Sequence, residues 1–149
     1  MMEGMRFMKQ YKVGYTTGVF DLFHVGHLNI LRRAKQQCDK LIVGVSTDEL
    51  VESYKNKQTV IPFHERVQIV ESVKYVDQVV AQKTRDKYAA WEQLLFDVMF
   101  VGDDWKGSAL FNEMEERFYK VAVDIVYFPY TSGVSSTLVK QKLEMIETG

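Results

Sequence analysis

The chain has 149 residues, 46% hydrophobic and 26% charged, which suits one soluble domain large enough to bury a proper core. Its formal net charge of −1 provides no overall field for nucleic acid or an anionic membrane, so affinity for a phosphorylated ligand must come from local placement. The single Cys38 excludes an internal disulfide and a cysteine-built metal site. No run is long and apolar enough to cross a bilayer, and no secretion h-region opens the chain, so a cytoplasmic protein is expected.

Residues 1–9 hold several methionines and read as an N-terminal arm ahead of one domain spanning 10–149. Tyr11 to Thr17 is β-branched and aromatic, which predicts a strand. A glycine turn follows at Gly18. His24-Val25-Gly26-His27 then stands at the head of a helix marked by Leu28, Ile30, Leu31 and Ala34. Lys40 to Ser46 is a near-continuous apolar run, as in a strand covered on both faces. Thr47-Asp48-Glu49 starts a helix that ends at the polar Lys55-Asn56-Lys57. Pro62 opens another, with Val67, Ile69, Val70 and Val73 expected inward. Gln78 to Ala81 is a short strand, and a charged loop runs from Gln82 to Lys87. Tyr88 to Phe96 reads as a helix and Val98 to Val101 as a buried strand. After a turn at Gly102 to Gly107, Ser108 caps a helix with Leu110, Phe111, Met114 and Phe118 on one face. Asp124 to Phe128 is a fifth strand, stopped by Pro129. A polar loop from Tyr130 to Ser136 leads into the last helix.

Five strands alternating with helices predict an α/β fold: one Rossmann-like, doubly wound domain with a five-stranded parallel sheet. Ligands bind such sheets beyond the carboxyl ends of their strands, where the polar loops after the first, fourth and fifth strands should converge. His24 and His27, three residues apart, face the same way at a helix start, and Gly26 leaves room for close approach to the backbone. The pair can serve a phosphate or simply cap the helix. The Tyr130 to Thr137 stretch clusters hydroxyls around Gly133 at a second helix start, again suited to phosphates or to plain capping. Gly102, Asp104 and Trp105 can read a base or ribose, or form a surface turn. Lys55, Lys57, Arg66 and Lys87 stand in or beside loops. As a set they can clamp an anionic second substrate and a departing pyrophosphate. No nucleophile elbow, Cys–His pair or Walker loop is present, so the parts favour transfer by positioning and electrostatics.

With His24-Val25-Gly26-His27 and Ser135-Ser136-Thr137 in hand, the chain resembles the nucleotidylyltransferase superfamily, which carries H-x-G-H after its first strand. The resemblance extends through Gly18-Val19-Phe20-Asp21, Ser46 to Glu49, His64-Glu65-Arg66, Tyr75-Val76-Asp77 and Gly102-Asp103-Asp104-Trp105-Lys106-Gly107, the last pointing to the glycerol-3-phosphate cytidylyltransferase branch. It implies an enzyme that uses CTP with Mg²⁺, releases pyrophosphate and is dimeric. His24 and His27 would then stabilise the α-phosphate, Lys57 would meet the triphosphate, and Arg66 would stand near the active site. Asp21, Lys55 and Lys87 would serve a small phosphorylated alcohol. Gly18, Val19, Phe20, Val25, Gly26, Gly102 and Asp104 would line the nucleotide, and Tyr130, Thr131, Ser132, Gly133, Val134, Ser135, Ser136 and Thr137 would wrap it. No residue is assigned as a metal ligand. Val19 and Val25 replace a threonine and an aromatic residue of the branch, Tyr130 and Lys74 replace arginines, Ser132 replaces an acidic residue, and the Lys55–Lys57 loop carries one extra residue. Two other readings stand beside cytidylyl transfer: adenylyl transfer to a cofactor precursor of the FMN type, and a non-catalytic nucleotide-binding subunit.

Overall fold

The computed structural model describes residues 9–129 and 135–148, the side chains of 147 and 148 excepted. Residues 1–8 of the 1–9 arm and the calls on Tyr130, Thr131, Ser132, Gly133 and Val134 therefore lie outside the described residues. β1 (Tyr11–Gly18), β2 (Cys38–Ser46), β3 (Gln78–Gln82), β4 (Val98–Gly102) and β5 (Asp124–Phe128) pair in parallel in the order β3-β2-β1-β4-β5. The order reverses between β1 and β4, and such a switch point opens a crevice at the strands' carboxyl ends.

Each connection carries a helix: α1 (Val25–Gln37), α2 (Asp48–Lys55) with α3 (Phe63–Glu71), α4 (Lys87–Leu94) and α5 (Ala109–Tyr119); α6 (Ser136–Thr148) closes the chain. Strand alternation then divides the core. Leu41, Val43 and Val45 of β2 join Leu31 and Ala34 of α1 and Val70 of α3 on one face. Ile42 and Met99 join Phe111, Met114 and Phe118 of α5 on the other. At Gly14 a Cβ would stand 2.6 Å from the Phe100 ring and 2.9 Å from the Cys38 sulfur, so glycine is what lets those two buried groups close over β1. Cys38 is a packed thiol, pushed up to about 11 by burial, and this suits the structural role read from the sequence.

Three local expectations need correcting. Ile69 is 38% exposed, because α3 packs on the core through Val67 and Val70, and Val73 joins them only after the helix has ended at Glu71. Leu110 is also half-exposed and faces a cavity instead of the core. The fourth helix stops at Leu94: Leu95 takes a left-handed φ of 52°, which turns Phe96 into the core at 1% exposure. Among the described residues no helix is long and apolar enough to cross a membrane.

Candidate active site

The chain leaves β1 through a turn in which two non-glycine residues, Phe20 (φ 57°) and Leu22 (φ 50°), adopt the left-handed region. Such backbone is costly, of order 1 kcal/mol or more per residue, and persists where surrounding contacts hold it. Between them Asp21 is 6% exposed. Its carboxylate accepts the N–H groups of Val60 at 2.8 Å and Ile61 at 2.9 Å, and Lys140 Nζ lies 3.8 Å away. The Ser136 hydroxyl donates to the Asp21 carbonyl at 2.6 Å. One residue thereby ties the β1 turn, the loop before α3 and the first turn of α6 together.

At the start of α1 the two histidines form a reciprocal cap. Gly26 N–H donates to His24 Nδ1 at 3.0 Å, and His24 N–H donates to His27 Nδ1 at 3.2 Å. The rings stack with centroids 3.9 Å apart, and His27 also packs against Phe20 and Phe23. A neutral imidazole whose Nδ1 accepts must carry its proton on Nε2. Capping and phosphate binding are therefore compatible: Nδ1 satisfies the helix N–H groups, and each Nε2–H remains a donor. Burial holds His24 below its ordinary value; burial first, and then the neighbouring His24, brings His27 from 6.5 to about 4. Both are neutral near pH 7.

That shift fixes a stability window. The unfolded chain protonates His27 near 6.5 and the folded chain near 4, so stability is lost as pH falls between those values, by at most about 3 kcal/mol. Asp48 and Asp77, held below 3.8, add their own loss only at lower pH. Urea unfolding midpoints at pH 7 and pH 4.5 test this. His27→Gln should show a clearly smaller fall than the parent, and equal falls would contradict the assignment.

A cavity of 540 Å³ opens at the carboxyl ends of β1, β2, β3 and β4, lined in part by Gly18, Val19, Phe20, Asp21, His27, Gly102 and Asp104. Ser136 and Thr137 bring the start of α6 to it. Lys55, Lys57 and Lys87 line it, as the sequence suggests; so do Arg85, Lys140 and Tyr54, which sequence reasoning passed over. The lining therefore sets five cations against the two carboxylates Asp21 and Asp104, in a chain of net charge −1. Lys140 had a readable signal, being four residues beyond Ser136 and so one turn along the same helix face. Ser135 stands back from the cavity and caps α6, accepting the Leu138 N–H at 3.1 Å. His24 does not itself line the cavity but stacks on His27, which does, while Val25 is 49% exposed and outside the lining. Gly26 is buried, and its N–H is already taken by His24.

Arg66 is the main correction. It is fully buried and does not line the cavity, so it is not a loop cation that could clamp a substrate. Its Nε donates to Ile61 O at 2.8 Å, Nη1 to Val19 O at 2.6 Å and Ser46 O at 2.8 Å, and Nη2 to Asp48 Oδ1 at 2.6 Å. Burial would raise the Asp48 carboxyl, but the Phe63 N–H, the Arg66 guanidinium and the Thr59 hydroxyl outweigh it and hold the group below the usual carboxylate range. Arg66 thus sets the cavity wall from behind.

The family model described as cytidylyltransferase-like matches residues 15–142. The glycerol-3-phosphate cytidylyltransferase of Bacillus subtilis (strain 168) is 38% identical over 135 residues, covering 86% of this chain and 94% of its own length. That of Staphylococcus aureus (strain NCTC 8325 / PS 47) is 37% identical over 129 residues, covering 86% and 92%. An FAD synthase of Thermococcus sibiricus (strain DSM 12597 / MM 739) is 33% identical over 125 residues, covering 82% and 84%. Among solved structures, the lipopolysaccharide core biosynthesis protein of Thermoplasma volcanium superposes with a TM-score of 0.68 at 22% identity, over 81% of this chain and 97% of that one, a likeness of fold alone. The family match spans the histidine pair, the cation-lined cavity and the start of the last helix: the chain belongs to the cytidylyltransferase-like family.

Proposed function

We propose that the chain transfers a cytidylyl group from CTP to a small phosphorylated alcohol, glycerol 3-phosphate, giving CDP-glycerol and pyrophosphate. The observation that carries this reading is the stacked pair of neutral imidazoles, each with Nδ1 engaged and Nε2–H left to donate, of which His27 lines a cavity rich in cations. A phosphate oxygen of the acceptor attacks the α-phosphorus of CTP, and the bond to the β-phosphate oxygen breaks. Negative charge grows on the α-phosphate oxygens, where the Nε2–H donors of His24 and His27 oppose it. Lys57 and Lys140 neutralise the leaving pyrophosphate. Lys55, whose ammonium is held below its ordinary value by burial and then by Lys57 and Lys140, has the charge balance that a phosphate restores.

Mg²⁺ enters this reading with the nucleotide. Among the described residues no cluster of three or more His, Cys, Asp or Glu side chains could cage a metal. An ion of this kind keeps several of its waters and is bound mainly through substrate phosphates. It would supply charge neutralisation on the triphosphate, and Asp21 is the buried carboxylate of the lining. The same reading makes the enzyme cytoplasmic and homodimeric; exposed Leu138, Met145 and Ile146 along α6 give a second copy apolar surface to cover.

Incubation with each nucleoside triphosphate, glycerol 3-phosphate and inorganic pyrophosphatase, scored by phosphate release, tests the assignment. Release with CTP, well above the other three nucleotides, is the expected result. The FAD synthase relatives keep adenylyl transfer in view, so the screen includes FMN with ATP. Release only in that tube would overturn the cytidylyl reading. CTP binding without any turnover would point to a non-catalytic subunit.

A further inference from the structure

Arg85 has no part in the reaction as described above, yet it stands in the same cavity. It reaches the lining from the loop between β3 and α4, together with Lys87 from the first turn of α4 and Lys55 from the end of α2. Its guanidinium carbon is 4.9 Å from the centroid of the Tyr54 ring, and Lys55 Nζ is 5.8 Å from the same centroid. One aromatic ring therefore gathers two cations from separate elements. Lys87, two residues beyond Arg85, lines the same cavity, and burial first and the charge of Arg85 second hold it below its ordinary value. Among the described residues no carboxylate forms an ion pair with Arg85. The adjacent Asp86 instead caps α4 through the N–H groups of Tyr88 and Ala89 and meets Arg117 at 3.7 Å.

Such a cluster of like charges is unfavourable when empty and is relieved by an anion bound between its members. The three cations are not equivalent. Lysine offers a mobile point charge, whereas a guanidinium held over a ring presents a planar fork matched to two phosphate oxygens. We propose that Arg85, lying over the Tyr54 ring, is the specificity-determining residue for the acceptor, gripping its phosphate through two oxygens while Lys55 and Lys87 complete the site. The inference rests on the transfer reaction proposed above and adds to it the group that selects a phosphorylated alcohol over an uncharged one.

Steady-state kinetics on the full chain, with CTP and glycerol 3-phosphate varied in turn, provide the test. Arg85→Gln should raise the KM for glycerol 3-phosphate about tenfold or more, the range expected for losing a charge-assisted contact, with the KM for CTP within about twofold and kcat largely kept. Arg85→Lys, which returns the charge without the fork, should recover part of that loss. An unchanged acceptor KM, equal rises in both KM values, or full recovery with lysine would each overturn the proposal. A merely structural arginine would move both KM values and the melting temperature together. Should the parent enzyme favour another nucleotide or alcohol phosphate, the same KM split is read with that pair. Should it turn over none, the transfer reading fails, and calorimetric binding of glycerol 3-phosphate decides the matter for Arg85: binding lost in Arg85→Gln supports it, and equal heats refute it.

Discussion

Replacing His24 or His27 by alanine is expected to lower kcat by about 10²-fold or more, the usual effect of removing one preorganised donor from a developing negative charge. The KM for CTP should change far less, because the lost contact is one that strengthens in the transition state. Alanine at 24 also removes a helix cap, which costs about 1 kcal/mol, so stability and activity must be separated. His24→Asn does so. Asparagine is among the best capping residues and can accept the Gly26 N–H in place of Nδ1, but it has no Nε2–H to reach onward. A folded His24→Asn enzyme with kcat still reduced about 10²-fold supports the donor role. Full activity in that variant would mean that the imidazole is there only to start the helix.

Arg66→Met should be the most destabilising single change in the protein outside the apolar core. The substitution keeps volume and removes four hydrogen bonds at once, to Val19 O, Ser46 O, Ile61 O and Asp48 Oδ1. Breaking a buried ion pair from one side costs about 3–5 kcal/mol, because the partner and the carbonyls are left unpaired. For a chain of this size that corresponds to a fall in melting temperature of about 10 °C or more. Asp48 is 38% exposed at its side chain and can recover water, so the lower end of the range is expected. Activity should fall with stability, since Val19 and Ser46 line the cavity and Ile61 belongs to the loop before α3. Denaturant unfolding measures the loss; a change under about 1 kcal/mol would show that the loops hold their places without the guanidinium.

The contrast between these two sites shows what the sequence discloses and what it withholds. The strand–turn–helix around His24 and His27 is legible because its signals are local: a β-rich run, a glycine, then apolar residues at helical spacing. The parallel order of the sheet likewise follows from strands and helices alternating along the chain. The burial of Arg66 is not local. Its four acceptors come from β1's turn, the end of β2, the start of α2 and the loop before α3, and no one-dimensional pattern brings them together. Ile69 and Leu110 mislead for a related reason: helical spacing reveals an apolar stripe but not how much of it the sheet covers. Lys140 was within reach by its spacing from Ser136. Arg85 was not, because nothing in the sequence says that it lies over the ring of Tyr54.

The central claim is that His24 and His27, both neutral with the proton on Nε2, present two donors to the α-phosphate of the nucleotide. Long-range ¹H–¹⁵N NMR of ring-labelled histidine reads this directly, and the chain has only three histidines. The third, His64, is largely exposed and serves as an internal reference. At pH 7 the account predicts the Nε2–H tautomer for His24 and His27, and a shift of both Nε2 resonances on adding a non-hydrolysable CTP analogue while His64 stays put. Nδ1–H tautomers at positions 24 and 27, or rings that do not respond to the nucleotide, would contradict it.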